Sequence, residues 1–144
     1  MKKVIKIASA LAMAVCLLVC ATGCVSNSWI KAQEKLAKEG YTVTATANIG
    51  TFESETKIKA GLTACGVGKA DTDPIEAFVG GVKDGKVIYI FYCESGEIAK
   101  ELYDAIDAKK ATLIKTYNME EGDAKLGKMG KVVYFGHKDA VKVA

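Results

Sequence analysis

A histidine and an aspartate near the C-terminus are the first candidates for catalytic chemistry. His137 is the only histidine of the 144-residue chain, and Asp139 follows two residues later. Such a pair could supply a general base, but catalysis also needs a reacting group within hydrogen-bond reach, and a zinc site generally needs four convergent ligands. The sequence offers no such partner set, so we predict no catalytic residue and no metal ligand. A small enzyme that uses His137 is kept as an alternative.

Acidic and glycine-rich segments contain residue types that bind ions or phosphates. Asp71, Asp73 and Glu76 offer carboxylates of the kind that hold Ca²⁺, but they do not follow the EF-hand pattern. The segment Gly66-Val67-Gly68-Lys69 and the pair Gly80-Gly81 lack the other residues of a Walker or dinucleotide-binding fingerprint. We interpret the acidic segment as a turn or a capping signal, Gly66 to Lys69 as a helix end and loop, and Gly80-Gly81 as a close-packed or bulged strand. We therefore predict no cofactor.

The N-terminus has the layout of an export signal. Three lysines precede Ile7, and no charged side chain occurs from Ile7 to Ile30. The part from Ile7 to Ala21 has about the length of a signal-peptide core and ends in small residues. An uncleaved anchor helix is the alternative, because the whole run is long enough to cross a bilayer. Gly23, Ser26 and Asn27 weaken that alternative, so we expect cleavage near residue 23.

The residues Ala21-Thr22-Gly23-Cys24 resemble the lipobox of bacterial prolipoproteins. In that family a very small residue, here Gly23, directly precedes the cysteine that becomes lipidated; Ala21 stands where the family usually has leucine. The resemblance implies that residues 1–23 are a signal peptide and that acyl chains such as palmitate are attached to Cys24. It also implies that the protein is held on the extracytoplasmic face of the cell membrane, since two or more acyl chains give stable anchoring.

Cys65 and Cys93 are the cysteines that remain after Cys24. In an oxidising compartment they could form one disulfide, provided that their α-carbons lie within about 7 Å of each other. The alternatives are two buried free thiols, the common state of unpaired cysteines, and a redox-active pair. The sequence does not decide among these three.

Composition excludes one class of partner. The chain has 20 lysines and no arginine; three of the lysines lie in the signal, so 20 − 3 = 17 lysines face 17 acidic residues from Cys24 onward. The net charge of that part is zero, and it lacks the side chain that contacts guanine and phosphate in a bidentate manner. We therefore expect no nucleic acid partner.

Hydrophobic patterns predict the elements of the N-terminal half. Residues 28–39 place Trp29 and Leu36 on one helical stripe, and Tyr41 to Ala47 is typical of a strand. Residues 51–65 suit either a helix or a strand, and we favour a helix.

A β-hairpin is predicted in the middle of the chain. Ile75 to Val82 and Lys86 to Cys93 flank Asp84-Gly85, a pair that accepts the positive φ angles of a type I′ turn. The second strand has apolar side chains on both faces, which predicts a central place in the sheet.

The C-terminal third is predicted to contain helix, loop, strand and helix. Ser95 caps the first helix, which could continue to Tyr117, and residues 118–130 form a loop rich in glycine and charge. Residues 131–135 form a strand, and residues 138–144 begin a short terminal helix.

Together these elements predict a single domain of the α+β class over residues 24–144. We expect an antiparallel sheet of about four strands with helices packed on one face. Some of the tyrosines should then be exposed on the uncovered face, where aromatic rings can bind peptides, sugars or proteins. The candidates are Tyr89, Tyr92, Tyr103, Tyr117 and Tyr134.

The segment from Gly130 to Ala140 looks like the last strand and helix of short lipoproteins of Gram-positive bacteria, a resemblance that implies no activity. We expect a non-catalytic binding or interaction module of the cell envelope. Its partners would be the membrane, through Cys24, and an envelope protein, a peptide or a small ligand. One alternative is a thiol-redox or disulfide-stabilised envelope protein that uses Cys65 and Cys93, and another is a small envelope enzyme that uses His137.

Overall fold

The computed structural model describes residues 25–68 and 71–144. The predicted signal peptide and Cys24 lie outside the described residues. The described part contains, in chain order, α1 (Trp29–Lys38), β1 (Thr42–Ala47), α2 (Phe52–Ala64), β2 (Ile75–Lys83), β3 (Lys86–Cys93), α3 (Gly96–Asp107), α4 (Lys110–Thr116), β4 (Ala124–Met129), β5 (Val132–His137) and α5 (Lys138–Val143), with a single 3₁₀ turn at Glu121–Asp123. This arrangement confirms the α+β class.

Three of the helices have a serine or threonine as their N-cap. Ser28 and Ser95 each accept a hydrogen bond from the backbone N–H three residues later, which satisfies a donor that the first helical turn leaves unpaired. Thr51 and Ser54 form a reciprocal capping box at the start of α2. This cap explains why the ambiguous segment from residue 51 to 65 is a helix, as favoured from the sequence.

The five strands form one fully antiparallel sheet in the order β1-β2-β3-β5-β4. Strand β3 is central, as predicted. The tight turn between β2 and β3 is also confirmed, because Asp84 and Gly85 have φ angles of 50° and 77° and Lys83 pairs with Lys86.

Helices cover both faces of the sheet, whereas the sequence predicted one covered face. On β3, Phe91 and Cys93 belong to an apolar cluster with α2, α3 and α4. Ile88, Ile90 and Tyr92 belong to a second cluster with α1 and α5. Successive side chains of a strand point to opposite faces, so a strand that is apolar at nearly every position must be covered twice. Tyr92 is consequently buried and not on a free face.

The fifth strand is β4, which lies within the segment predicted as a loop from Asn118 to Gly130. It forms the edge beside β5 and contains Lys125 and Gly127, residue types that are unusual in strands. A Cβ at Gly127 would lie 2.2 Å from the Tyr134 ring, so the glycine makes room for a side chain of the neighbouring strand. The terminal helix predicted from residue 138 is confirmed as α5.

Candidate functional site

A groove lies between α2 and the sheet, on the face that also carries α3 and α4. Its volume is about 400 Å³, within the range of small-molecule sites. Strands β1, β2 and β3 form its floor and one wall, and α2 forms the other wall. The lining residues are Thr42, Thr44, Thr56, Lys57, Ala60, Gly61, Ala64, Phe78, Gly80, Gly81, Val82 and Tyr89.

Glycine and two aromatic rings form the floor of the groove. Gly80 pairs with Thr44 on one side and with Tyr89 on the other. A Cβ at Gly80 would lie 3.0 Å from the end of the Phe78 ring and 3.7 Å from the Tyr89 ring. The two rings are nearly parallel, with centroids 6.5 Å apart and an interplanar angle of 11°. The end of the Phe78 ring therefore occupies the space beside Gly80, and the Phe78 and Tyr89 rings together give the groove an aromatic floor.

The helical wall depends on a second glycine. A Cβ at Gly61 would lie 2.4 Å from the Phe78 ring, a distance that real side chains do not reach. Gly61 therefore lets α2 rest directly on Phe78. The neighbouring lining residues Ala60 and Ala64 are also small, so the wall of the groove consists of helix backbone and methyl groups.

Polar groups lie at the rim. Thr42 and Thr44 of the edge strand β1 are exposed, and Thr56 and Lys57 project from α2. The Lys57 ammonium is 3.0 Å from the Glu53 carboxylate, one helical turn earlier. Among the lining residues the only ionisable groups are Lys57 and the Tyr89 phenol. The groove therefore has an apolar interior, and its rim carries hydroxyl groups and the Lys57–Glu53 ion pair.

A contact with Tyr117 holds the Tyr89 ring in place. Its ring contacts that of Tyr117, with centroids 5.8 Å apart, and the Tyr117 hydroxyl donates a hydrogen bond to the backbone oxygen of Ala64. Burial, followed by a hydrogen bond with Tyr117, raises the pKa of Tyr89 well above its usual value. Tyr89 therefore stays a neutral phenol and presents a rigid ring to the groove.

His137 and Asp139 have separate partners. The Nδ1 atom of His137 accepts a hydrogen bond from the Val87 backbone N–H at 2.9 Å. The Asp139 carboxylate pairs with Lys86, and this hydrogen bond holds the pKa of Asp139 below its usual value. The two side chains join β5 and α5 to the start of β3, and neither lines the groove.

Cys65 and Cys93 are buried free thiols in the same apolar cluster. Burial raises the pKa of both, to about 12 for Cys93. A nucleophilic or redox-active cysteine needs the opposite, a lowered pKa and access to solvent. Of the three alternatives that the sequence left open, the structure thus favours two buried free thiols.

The acidic segment forms a turn. Asp71 accepts a hydrogen bond from the backbone N–H of Asp73 at 3.0 Å. Within residues 25–68 and 71–144, no three side chains of histidine, cysteine, aspartate or glutamate come together as metal ligands do.

Sequence reasoning identified Gly80 as a site of close packing but did not find the groove. The alternating threonines of β1 and the glycine in β2 were visible signals, but the close packing of Gly61 in α2 on Phe78, which positions the helical wall, was not. That contact joins residues 17 positions apart (78 − 61) and is not encoded in either segment alone.

Comparisons of the chain with protein-family models, with curated proteins and with solved structures found no match. No helix in the described part of the chain has the length and apolar character needed to span a membrane.

Proposed function

We propose that this protein is a lipid-anchored, extracytoplasmic binding module that holds a small, mainly apolar ligand in the groove between α2 and the sheet. The observation that carries the binding role is a groove of about 400 Å³ whose floor contains the Phe78 and Tyr89 rings. That volume is within the range of small-molecule sites, which are lined mainly by apolar and aromatic side chains. The cell-membrane location rests on the cationic head, the apolar run and the lipobox-like residues that end at Cys24.

The chemistry of the rim narrows the class of ligand. The hydroxyl groups of Thr42 and Thr44 can donate or accept hydrogen bonds, whereas the Thr56 hydroxyl already donates to the backbone oxygen of Phe52 and can only accept. Lys57 adds a positive charge that is paired with Glu53. No carboxylate lines the groove, and the Glu53 carboxylate at its rim is paired with Lys57. The arrangement favours an apolar body with an uncharged or negatively charged polar group.

A non-catalytic role is supported by the positions of the side chains that could act as an acid, a base or a nucleophile. The Nδ1 atom of His137 and the carboxylate of Asp139 are each bound to another part of the fold, and both thiols are buried. None of these groups lines the groove, where a bound ligand would have to meet them for reaction.

Filling the groove tests the binding role. Ala60 is an exposed residue of α2 that lines the groove, so Ala60→Trp should occupy the space without disturbing the core. Ala37→Trp, at an exposed position of α1 on the opposite face of the sheet, is the matched control. The probe is the anionic dye 8-anilinonaphthalene-1-sulfonate, and the protein is the domain from Val25 to Ala144.

We expect wild type and Ala37→Trp to bind the dye with one site each and Ala60→Trp to lose that binding, with all three proteins melting cooperatively. Equal dye binding by Ala60→Trp would overturn the assignment of the groove as the binding site.

A further inference from the structure

The chain enters the fold without a free linker after Cys24. Val25 is only 2% exposed. The backbone N–H of Ser26 donates to the backbone oxygen of Ala144 at 3.1 Å, and the Tyr92 hydroxyl donates to the backbone oxygen of Ser26 at 2.7 Å. Because consecutive α-carbons are about 3.8 Å apart, an acyl group on Cys24 would be attached directly at the surface of the domain.

These contacts place the start of the domain at one end of the sheet. Tyr92 pairs with Ala77 and Val132, and Ala77 pairs with Ala47. We call the end of the sheet formed by Ala47, Ala77, Tyr92 and Val132 the anchor end. The turn at Asp84-Gly85 lies at the opposite end.

Three exposed apolar side chains lie at the anchor end. In the described part of the chain the exposed large apolar residues are Ile30, Ile49, Phe52 and Val82, with exposed fractions of 51%, 74%, 86% and 46%. Ile30 is in the first turn of α1, close to Ser26, and Ile49 and Phe52 follow the end of β1. Val82 lies beside the distant turn.

The segment that carries Ile49 and Phe52 is held in place by hydrogen bonds. The Asn48 backbone N–H donates to the backbone oxygen of Glu76 at 2.8 Å. Its side-chain amide donates to the backbone oxygens of Thr72 and Ile75 at 2.9 and 3.0 Å. These hydrogen bonds fix the backbone at Asn48, next to the two exposed apolar side chains.

We propose that the anchor end is a second, non-covalent membrane contact, in which Ile30, Ile49 and Phe52 enter the interfacial region of the bilayer that holds Cys24. This inference rests on the lipid anchor of the proposed function. The contact is apolar: exposed Glu76 and Glu94 outnumber exposed Lys131 at this end, so charge gives no attraction to anionic lipids and the three apolar side chains make the contact. The groove, on one face of the sheet, then stays open to solvent.

A pair of single-tryptophan variants tests this orientation. Trp29 is the only tryptophan, so Trp29→Phe removes the background signal. Phe52→Trp then places a fluorophore at the anchor end, and Lys138→Trp, at the exposed start of α5 near the opposite end, is the control. Each lipoprotein is purified from membranes and reconstituted into phosphatidylcholine vesicles with and without brominated acyl chains.

Flotation of the vesicles first reports the anchor. If the proteins float, we expect the emission of the tryptophan at position 52 to shift to shorter wavelength and to be lost with brominated lipid, independently of salt, while the tryptophan at position 138 changes in neither respect. Equal quenching at both positions, or none at position 52, in floating protein would overturn the membrane contact and leave the anchor intact. Failure to float would remove the anchor and this inference with it.

Discussion

At the scale of residues, glycines and alanines shape the groove, and burial among apolar side chains determines the chemical state of the two cysteines. Gly61 and Gly80 both let the Phe78 ring pack against the backbone, because a Cβ would lie 2.4 Å from that ring at Gly61 and 3.0 Å at Gly80. A glycine in a strand indicates close packing from sequence alone, but which ring approaches it depends on a distant segment. In the same way, the two cysteines could be counted from the sequence, whereas their burial depends on how β3 and α2 pack.

The buried thiols predict a loss of stability at alkaline pH. Burial raises the pKa of Cys93 from 9.0 to about 12 and that of Cys65 further. Between those values the unfolded chain releases thiol protons that the folded domain retains. The free energy of unfolding should therefore be unaffected by the thiols below about pH 9 and should fall above it, by about 1.4 kcal/mol per pH unit for each thiol.

Urea denaturation of the domain from pH 7 to pH 10.5 measures this effect. The free energy of unfolding of the double variant Cys65→Ala, Cys93→Ala should fall less steeply with pH than that of wild type. It should still fall to some extent at alkaline pH, because the pKa values of Tyr89 and Tyr92 are also raised by burial. Parallel curves for the two proteins, or an absence of reactive thiols in the unfolded, non-reduced wild type, would contradict the free-thiol state.

At the scale of elements, local signals were predictable and contacts between strands were not. The turn at Asp84-Gly85 and the cap at Ser95 depend on neighbouring residues, and both were predicted. Strand β4 was missed because Gly127 suits a strand only next to the Tyr134 ring of β5. The second helical layer was missed although β3 is apolar at successive positions, a pattern that requires cover on both faces.

The hairpin gives a direct test at this scale. Gly85 has a φ of 77°, a conformation that costs an L-residue roughly 1–2 kcal/mol and a β-branched residue more. Gly85→Val should therefore lower the free energy of unfolding by at least that amount, measured by urea denaturation. Gly122→Val, at an exposed glycine without positive φ or near neighbours, should change it much less. Equal stability of wild type and Gly85→Val would mean that the turn is not formed as described.

At the scale of the whole molecule, the folded domain begins immediately after Cys24, the residue proposed to carry the lipid. The buried Val25 and the bond from Ser26 to Ala144 fix the N-terminus of the domain to its C-terminus. A lipid on Cys24 would then orient the whole domain, with the anchor end against the bilayer and the groove accessible from the side. The proposed membrane location and the membrane contact both depend on lipidation of Cys24, whereas ligand binding in the groove does not.

Metabolic labelling with a palmitate analogue, followed by membrane fractionation, tests that claim most directly. The proteins to compare are wild type, Cys24→Ser and the control Cys20→Ser, which changes a cysteine preceded by Val19 and not by glycine. We predict that wild type and Cys20→Ser are labelled and recovered at mature size in the membrane fraction, whereas Cys24→Ser is unlabelled and keeps its precursor size. Labelling of Cys24→Ser equal to that of wild type would contradict the account.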